Sequence, residues 1–280
     1  DDARYTAGTN NINGKTGVKL FGNYKWTTMK VGQVAQGHNS AFVDSDGKAY
    51  VVYHTRFADG TEGHQVRVHQ LFVNQDGWLV AAPYEYTGET LSDTAYTMEQ
   101  MSGLYEVIFH NQSINYQNLE CMTPQNIALN DDGTVSGDQT GTWSADADKP
   151  YVTITLGTKT YKGVFVEQYV EETTNKTLCF TLLGSDEIEV WGSKAIGGKT
   201  AVDMTLNSGV IKIPQQTVSD ITFKTEGLQG TTVSYASGNT AVLSNDGKVT
   251  RGSDDVTVKV TATFTNGDYS VDKEYEIKVL

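Results

Sequence analysis

The residues best able to do chemistry are the five histidines, and four of them (His38, His54, His64 and His69) fall within the first quarter of the chain. A structural zinc site needs about four Cys or His ligands at tight spacing, and the sequence has no such run. His64 and His69 lie five apart in what reads as a strand, so they point to opposite faces and do not form a simple ligand pair. His38 is different. In Gly37-His38-Asn39-Ser40 a glycine-containing loop enters a strand, and a polar cluster there is placed to meet a ligand. The competing reading makes Asn39 and Ser40 an ordinary turn with His38 exposed.

The carboxylates of the same region, Asp44, Asp46, Asp59, Glu62 and Asp76, sit mostly in turns. Paired carboxylates are the usual machinery of glycoside hydrolysis, but turn acids are expected to cap the backbone. No nucleophile elbow, phosphate loop or dinucleotide fingerprint is present. Sugar faces stack on aromatic rings, and Trp78, Trp143 and Trp191 lie at strand or turn positions. There they serve equally well as core, which is the default expectation.

The elements that position these residues are strands. Helical periodicity is almost absent, while alternation over short runs recurs between Gly, Asp and Asn turns, the pattern of antiparallel sheet. Ser40–Val43, Lys48–Thr55, Gln65–Val73 and Trp78–Ala82 follow one another closely. Asp44-Ser45-Asp46-Gly47 and Asn74-Gln75-Asp76-Gly77 join them in pairs. Asp-Gly is a strong hairpin signal, and four antiparallel strands in series make one propeller blade or a small meander. One blade cannot close a propeller. In a propeller the first strand of a blade lines the central channel, which is where His38 would then face.

From residue 87 to 205 the expected strands are Gly103–Phe109, Gln125–Leu129, Thr134–Trp143, Tyr151–Leu156, Tyr161–Tyr169, Thr177–Leu183 and Glu187–Gly192. Their number and shortness predict a small closed barrel or a sandwich. In residues 206–280 Val256, Val258, Val260, Ala262 and Phe264 alternate with Thr257, Lys259, Thr261 and Thr263. Tyr275, Ile277 and Val279 repeat the pattern, which reads as an immunoglobulin-like sandwich. Ile196–Thr200, with two glycines, reads as a linker. The expected domains are therefore 1–86, 87–205 and 206–280.

Composition narrows the partners. The formal charge of −13 leaves few basic residues for phosphate contacts, which argues against nucleic acid. A neutral polysaccharide is not repelled by such a surface. No run approaches the roughly 20 apolar residues of a membrane span, and mean hydropathy is −0.39. Cys121 and Cys179 could pair only with Cα atoms within about 7 Å; separate buried thiols are the simpler expectation. Asp1-Asp2-Ala3-Arg4 shows no charged or apolar leader region, so the chain is expected to begin downstream of any signal peptide.

Ordered motifs in the first stretch carry a resemblance. Gly17-Val18-Lys19-Leu20-Phe21-Gly22-Asn23-Tyr24, Gly37-His38-Asn39-Ser40 and Asp46-Gly47-Lys48-Ala49-Tyr50-Val51-Val52-Tyr53-His54-Thr55-Arg56-Phe57 resemble glycoside hydrolase family 43, with the endo-arabinanases nearest. Gln65-Val66-Arg67-Val68-His69-Gln70-Leu71-Phe72, Asp76-Gly77-Trp78 and Ala82-Pro83-Tyr84 continue it. The second stretch is similar to the C-terminal β-barrel domain of that family, through Gly103-Leu104-Tyr105-Glu106, Leu129 to Trp143, Tyr161-Lys162-Gly163-Val164-Phe165 and Val190-Trp191-Gly192. The third is similar to bacterial Ig-like repeats through Gly247-Lys248-Val249-Thr250.

The resemblance implies an all-β chain: the last blade of a five-bladed propeller, a small β-barrel and an Ig-like module. It implies inverting hydrolysis of α-1,5-linked arabinan or arabino-oligosaccharides, with a carboxylate base, a carboxylic acid and a third acid that tunes it. In the family these acids belong to earlier blades, and only 37 residues precede His38 here. The catalytic residues are therefore expected upstream, in an N-terminal propeller segment that is this chain's partner. His38 matches a histidine that reaches a calcium ion in the channel, mostly through waters; Asn39, Ser40, His54 and Arg56 are the candidate channel-lining residues. A secreted or cell-surface bacterial protein is implied. The alternative is a non-catalytic carbohydrate-binding or adhesive β-protein.

Overall fold

A computed structural model of the chain describes residues 18–110 and 120–280; the Asp1–Arg4 stretch and Gly17, used in the sequence reading, lie outside the described residues. The chain is all-β and divides between Ala195 and Ile196 into two compact units.

The first unit opens with a four-stranded antiparallel sheet, β1 (Gln33–Val43), β2 (Ala49–Phe57), β3 (His64–Val73) and β4 (Leu79–Ala81), paired in chain order. The Asp-Gly turns are where the sequence places them. Gly47 and Gly77 take φ of +84° and +81°, a region glycine enters without steric cost. Asn74 Oδ1 accepts from the Asp76 and Trp78 amides and holds the second turn closed. Strand β1 is irregular, with register shifts between Val34 and Gly37 and between Gly37 and Ser40. These bulges re-aim the side chains around His38.

After the short helix α1 (Met98–Met101) come β5 (Gly103–His110), β6 (Gln125–Leu129), β7 (Thr134–Gly137), β8 (Gly141–Ala145), β9 (Tyr151–Leu156), β10 (Lys159–Tyr169), β11 (Lys176–Gly184) and β12 (Glu189–Lys194). They close into a barrel in which β12 pairs β5. Its interior is filled by residues such as Tyr105, Ile127, Trp143, Ile154, Phe165 and Phe180. The run Thr134–Trp143, read as one strand, is two. Gly137 turns at φ +109°, and at Gly141 a Cβ would stand 1.9 Å from the Thr155 carbonyl oxygen. Backbone that close admits only glycine, and the chain folds back there.

The second unit has helix α2 (Gly198–Ser208) and strands β13 (Gln216–Thr217), β14 (Thr232–Ser237), β15 (Val256–Asn266) and β16 (Tyr269–Val279), in sheet order β13-β16-β15-β14. Val258, Val260, Ala262 and Phe264 of β15 are buried on one face, as their alternation requires. Val202 of α2 packs against Ala262 and Phe264. Ile221, Phe223 and Leu243 cover the other end of that face. The layer opposite the sheet is thus a helix and irregular segments. The stretch read as a linker, Ile196–Thr200, contains the start of α2, which ends at Gly209 with φ +71°.

Candidate functional site

The structure gathers three of the four early histidines on the sheet. His38, in the irregular middle of β1, has φ +48°, a left-handed conformation that few non-glycine residues adopt. Its ring centroid lies 5.2 Å from that of His54, which lies 4.9 Å from that of His64. Partial desolvation, followed by the neighbouring His64 and His38, holds the His54 pKa below its ordinary value. Arg56, the next outward position on β2, is bonded to the Glu62 carboxylate. Asn39 and Ser40 are exposed, and Ser40 stands opposite Val52. His38 and His54 are therefore together, while Arg56 belongs to an ion pair.

This donor set is nitrogen-rich. Calcium takes six to eight oxygen ligands, and among the described residues no group of three or more His, Cys, Asp or Glu is placed to hold a metal ion. The described surroundings of His38 do not by themselves fit calcium.

His69 faces the other way, as strand alternation requires, and is fully buried. Its Nδ1 lies 2.6 Å from the Ala82 carbonyl oxygen, which can only accept. Nδ1 therefore carries the hydrogen, and Nε2 accepts from the Tyr53 hydroxyl at 3.0 Å. Burial lowers the pKa to about 4, so the ring is neutral and its role is to hold the sheet's interior together. Trp191 of the barrel stacks on it at 5.5 Å.

A second group of functional-looking residues escaped sequence reading. The outer wall of the barrel carries Glu106, His110, Gln168, Glu189 and Ser193, all buried. Glu189 Oε1 accepts from the Ala81 amide at 2.6 Å, Thr181 Oγ1 at 3.1 Å and Trp191 Nε1 at 3.3 Å. Gln168 accepts from the Tyr84 amide and donates to the Tyr84 carbonyl oxygen, at 3.1 and 3.0 Å. The Tyr84 hydroxyl donates to Ser193 Oγ at 2.8 Å. Glu106 accepts from the Thr27 hydroxyl, and His110 Nδ1 from the Gly22 amide at 3.2 Å. Burial drives the Glu189 carboxyl well above the carboxylate range, and raises that of Glu171 to about 7.

These polar side chains fasten the four-stranded sheet, and the segments before and after it, onto the barrel. Their sequence signal was present but ambiguous. Glu106 and His110 alternate with Tyr105, Val107 and Phe109, and Glu189 and Ser193 alternate with Val190 and Gly192. Such polar positions normally face water on a barrel's exterior; here they face the sheet.

The turn acids cap and pair. Asp46 Oδ1 accepts from the Lys48 amide, Asp59 Oδ1 from the Thr61 amide, and Asp76 bonds Lys162. Trp143 and Trp191 are core, but Trp78 is 59% exposed at the β3–β4 turn, against the default reading. Cys121 and Cys179 are free thiols.

Comparison with known proteins places this geometry. Residues 83–192 match the C-terminal lipocalin-like domain of family 43 proteins, in agreement with the closed eight-stranded barrel. The extracellular endo-α-(1→5)-L-arabinanase 2 of Bacillus subtilis (strain 168) is 42% identical over 182 residues, which cover 64% of this chain. The first unit is thus similar to glycoside hydrolase family 43 proteins. Its relatives include the extracellular endo-α-(1→5)-L-arabinanase of Thermotoga petrophila, 35% identical over 196 residues and 66% of this chain. The chain spans only 38% and 40% of the length of these two relatives. Among solved structures, the family 43 YxiA protein of Bacillus licheniformis aligns with a TM-score of 0.58 at 38% identity, over 63% of this chain and 39% of its own. The endo-1,5-α-L-arabinanase of T. petrophila aligns equally well, at 36% identity over 63% of this chain and 40% of its own. Residues 200–280 match the atrophied bacterial Ig domain, and the sheet faced by a helix and irregular segments accords with that description.

Proposed function

We propose that this chain is the C-terminal portion of an extracellular enzyme that cleaves α-1,5-linked arabinan with inversion, its catalytic carboxylates supplied by an N-terminal propeller segment. One observation carries the reading. The chain is 42% identical to an endo-arabinanase over 182 residues, yet the turn acids of the sheet are engaged in caps and ion pairs. Among the described residues, the turn acids Asp46, Asp59, Glu62 and Asp76 are so engaged, whereas inverting hydrolysis uses two carboxyls about 6.5–9.5 Å apart with a water between them. The relatives' greater length leaves room for that pair upstream.

In this reading a carboxylate of the N-terminal segment activates the water and a carboxylic acid protonates the leaving oxygen. This chain contributes the last wall of the channel. His38, Asn39, Ser40, His54 and Arg56 would face the substrate space, and a calcium ion beside His38 would need its oxygen ligands from outside the chain. That cation would supply a fixed positive charge near the catalytic acid. Both curated relatives are extracellular by name, and no helix among the described residues is long and apolar enough to cross a membrane.

The test is release of reducing ends from linear arabinan by the purified chain, with its intact mass measured. Inactivity with a single mass is the expected result. Activity with a single mass would sink the reading, because the carboxylates would then lie within these residues.

A further inference from the structure

The sheet of the second unit has one open edge. Strands β15 and β16 pair in unbroken register, from Val256 opposite Val279 to Asn266 opposite Tyr269. On the far side of β16, Lys278 and Leu280 donate their amides to the Gln215 and Thr217 carbonyl oxygens, at 2.9 and 3.0 Å. Backbone groups alternate in direction along a strand, so Ser270, Asp272, Glu274 and Glu276 also turn their N–H and C=O groups to that side. Strand β13 reaches only Lys278 and Val279. Among the described residues, the outward groups at the other four positions meet no backbone partner. The opposite edge of the sheet is covered. There Val233 of β14 donates to the Thr225 carbonyl oxygen, and Ser237 to Asn245 Oδ1, both at 2.8 Å.

Beside this edge lies a groove of about 540 Å³, lined by Ile213, Pro214 and Gln215 together with Glu274, Tyr275 and Glu276. Tyr275 packs against the cluster of Val202, Val233, Ala262 and Phe264, so its ring is turned to the core and not offered to a sugar face. What the groove offers is a row of unpaired backbone groups, the chemistry that receives an extended peptide as an added strand. The side chains of the row are acidic. Asp272, Glu274 and Glu276 stand opposite Thr263, Thr261 and Lys259, on the face away from that core. Lys259 bonds Glu274 at 3.1 Å with both side chains more than half exposed, and so hydrated an ion pair is weak and readily shared. Lys278 is taken by Asp255 at 2.7 Å, and Lys273 lies on the other face, over the Tyr275 ring.

We propose that the β16 edge binds an extended basic segment of a partner protein, which joins the four-stranded sheet as an added strand with Lys or Arg beside Asp272, Glu274 and Glu276. Cross-strand neighbours share a face, so its alternate side chains fall beside half-buried Val271 and Tyr275 and are apolar. At about 3.4 Å per residue, the edge from Ser270 to Glu276 is about 20 Å long, room for a strand of about seven residues. The same acids exclude a second copy of this chain. Two β16 edges joined by a two-fold axis run antiparallel. In every register centred on the acidic stretch, Asp272, Glu274 or Glu276 then stands opposite itself or another of the three. Like charges directly opposite are destabilising, so the row that admits a basic strand rejects pairing between copies. This surface is independent of the hydrolytic function proposed above.

The test uses the whole chain and fluorescent peptides of about seven residues. One alternates Lys and Val, one alternates Glu and Val, and a third is the Lys-Val peptide with its backbone amides N-methylated. By anisotropy the Lys-Val peptide should bind at least about tenfold tighter than either of the others. In hydrogen exchange it should slow the Asp272, Glu274 and Glu276 amides at least about tenfold and leave that of Val233 unchanged. Glu274→Lys and Glu276→Lys together should turn the preference to the Glu-Val peptide, with circular dichroism checking the fold. Should that variant fail to fold, the three peptides and the exchange pattern on the parent chain decide alone. No binding of the Lys-Val peptide overturns the proposal. An N-methylated peptide that binds as well as its parent reduces the surface to charge attraction and overturns strand addition. Slowed exchange elsewhere, with these three amides untouched, overturns the location. Arabino-oligosaccharide that slows the three amides where the Lys-Val peptide does not assigns the groove to a glycan, which also overturns it.

Discussion

Glu171 should make the first unit lose stability as the pH rises through the neutral range, and Glu171→Gln should remove that loss. The residue follows β10. It is half-buried as a whole, but its carboxyl is enclosed, and burial is the largest cause of its raised pKa, with the Glu85 charge adding to it. The Glu85 amide and Arg67 pull the other way and do not prevail. Gln33 Nε2 approaches its two oxygens at 3.5 and 3.4 Å, so little hydrogen bonding favours the charged form. The folded pKa is about 7, against 4.5 for the free group. A carboxyl whose folded pKa is raised binds more protons folded than unfolded between those values, so stability falls as pH climbs from 4.5 to 7 and levels off above. A gap of about 2.5 units at 1.36 kcal/mol each gives a ceiling of about 3 kcal/mol. The partial exposure of the residue reduces this. At about 2–4 °C per kcal/mol for a unit of this size, Glu171→Gln should melt roughly 4–9 °C above the parent at pH 8. At pH 4.5 the two should melt within about 2 °C of each other. Circular-dichroism melts at half-unit pH steps measure both. Parallel curves for parent and variant across pH 5–8, or a variant less stable at pH 8, would refute the assignment of an enclosed neutral carboxyl.

Two further predictions concern the seam and the barrel. Glu189→Ala leaves the Ala81 amide, the Thr181 hydroxyl and the Trp191 indole buried without their acceptor, at a cost of at least about 3 kcal/mol in urea unfolding. Glu189→Gln keeps an acceptor oxygen and should cost under about 1.5 kcal/mol; equal losses for the two would show that the carbonyl position is not what matters. In strand β10 a Cβ at residue 163 would stand 1.8 Å from the Thr181 carbonyl oxygen, so Gly163→Ala should destabilise the barrel by about 3 kcal/mol. A change below about 1 kcal/mol by denaturant titration would mean that β10 and β11 separate freely.

Much of the strand content was written in local pattern. The Asp-Gly turns, Gln125–Leu129 and Tyr151–Leu156 stand where alternation placed them, because a hairpin turn and a period of two are properties of a few neighbouring residues. The split of Thr134–Trp143 was not legible, since what divides it is the approach of the Thr155 carbonyl oxygen to Gly141 from another strand. Helix α2 hid in the glycines of a presumed linker. Its short apolar set, Ala201 and Val202, is recognisable only against the Ala262 and Phe264 it covers.

The candidate site divides in the same way. The spacing of His64 and His69 determined, from the sequence alone, that they point to opposite faces; that His69 is the inward one was decided by packing. That His38 and His54 lie together, with His64 in line, depended on the bulges of β1 and the pairing of three strands. That Glu189, Glu106 and Gln168 are buried fasteners and not solvated barrel residues depended on the sheet lying against the barrel. A sequence specifies directly what is enforced by bonded neighbours and side-chain period. Burial of a charge, closure of a barrel and the company a histidine keeps arise from residues tens of positions apart, and only the packed structure brings those together.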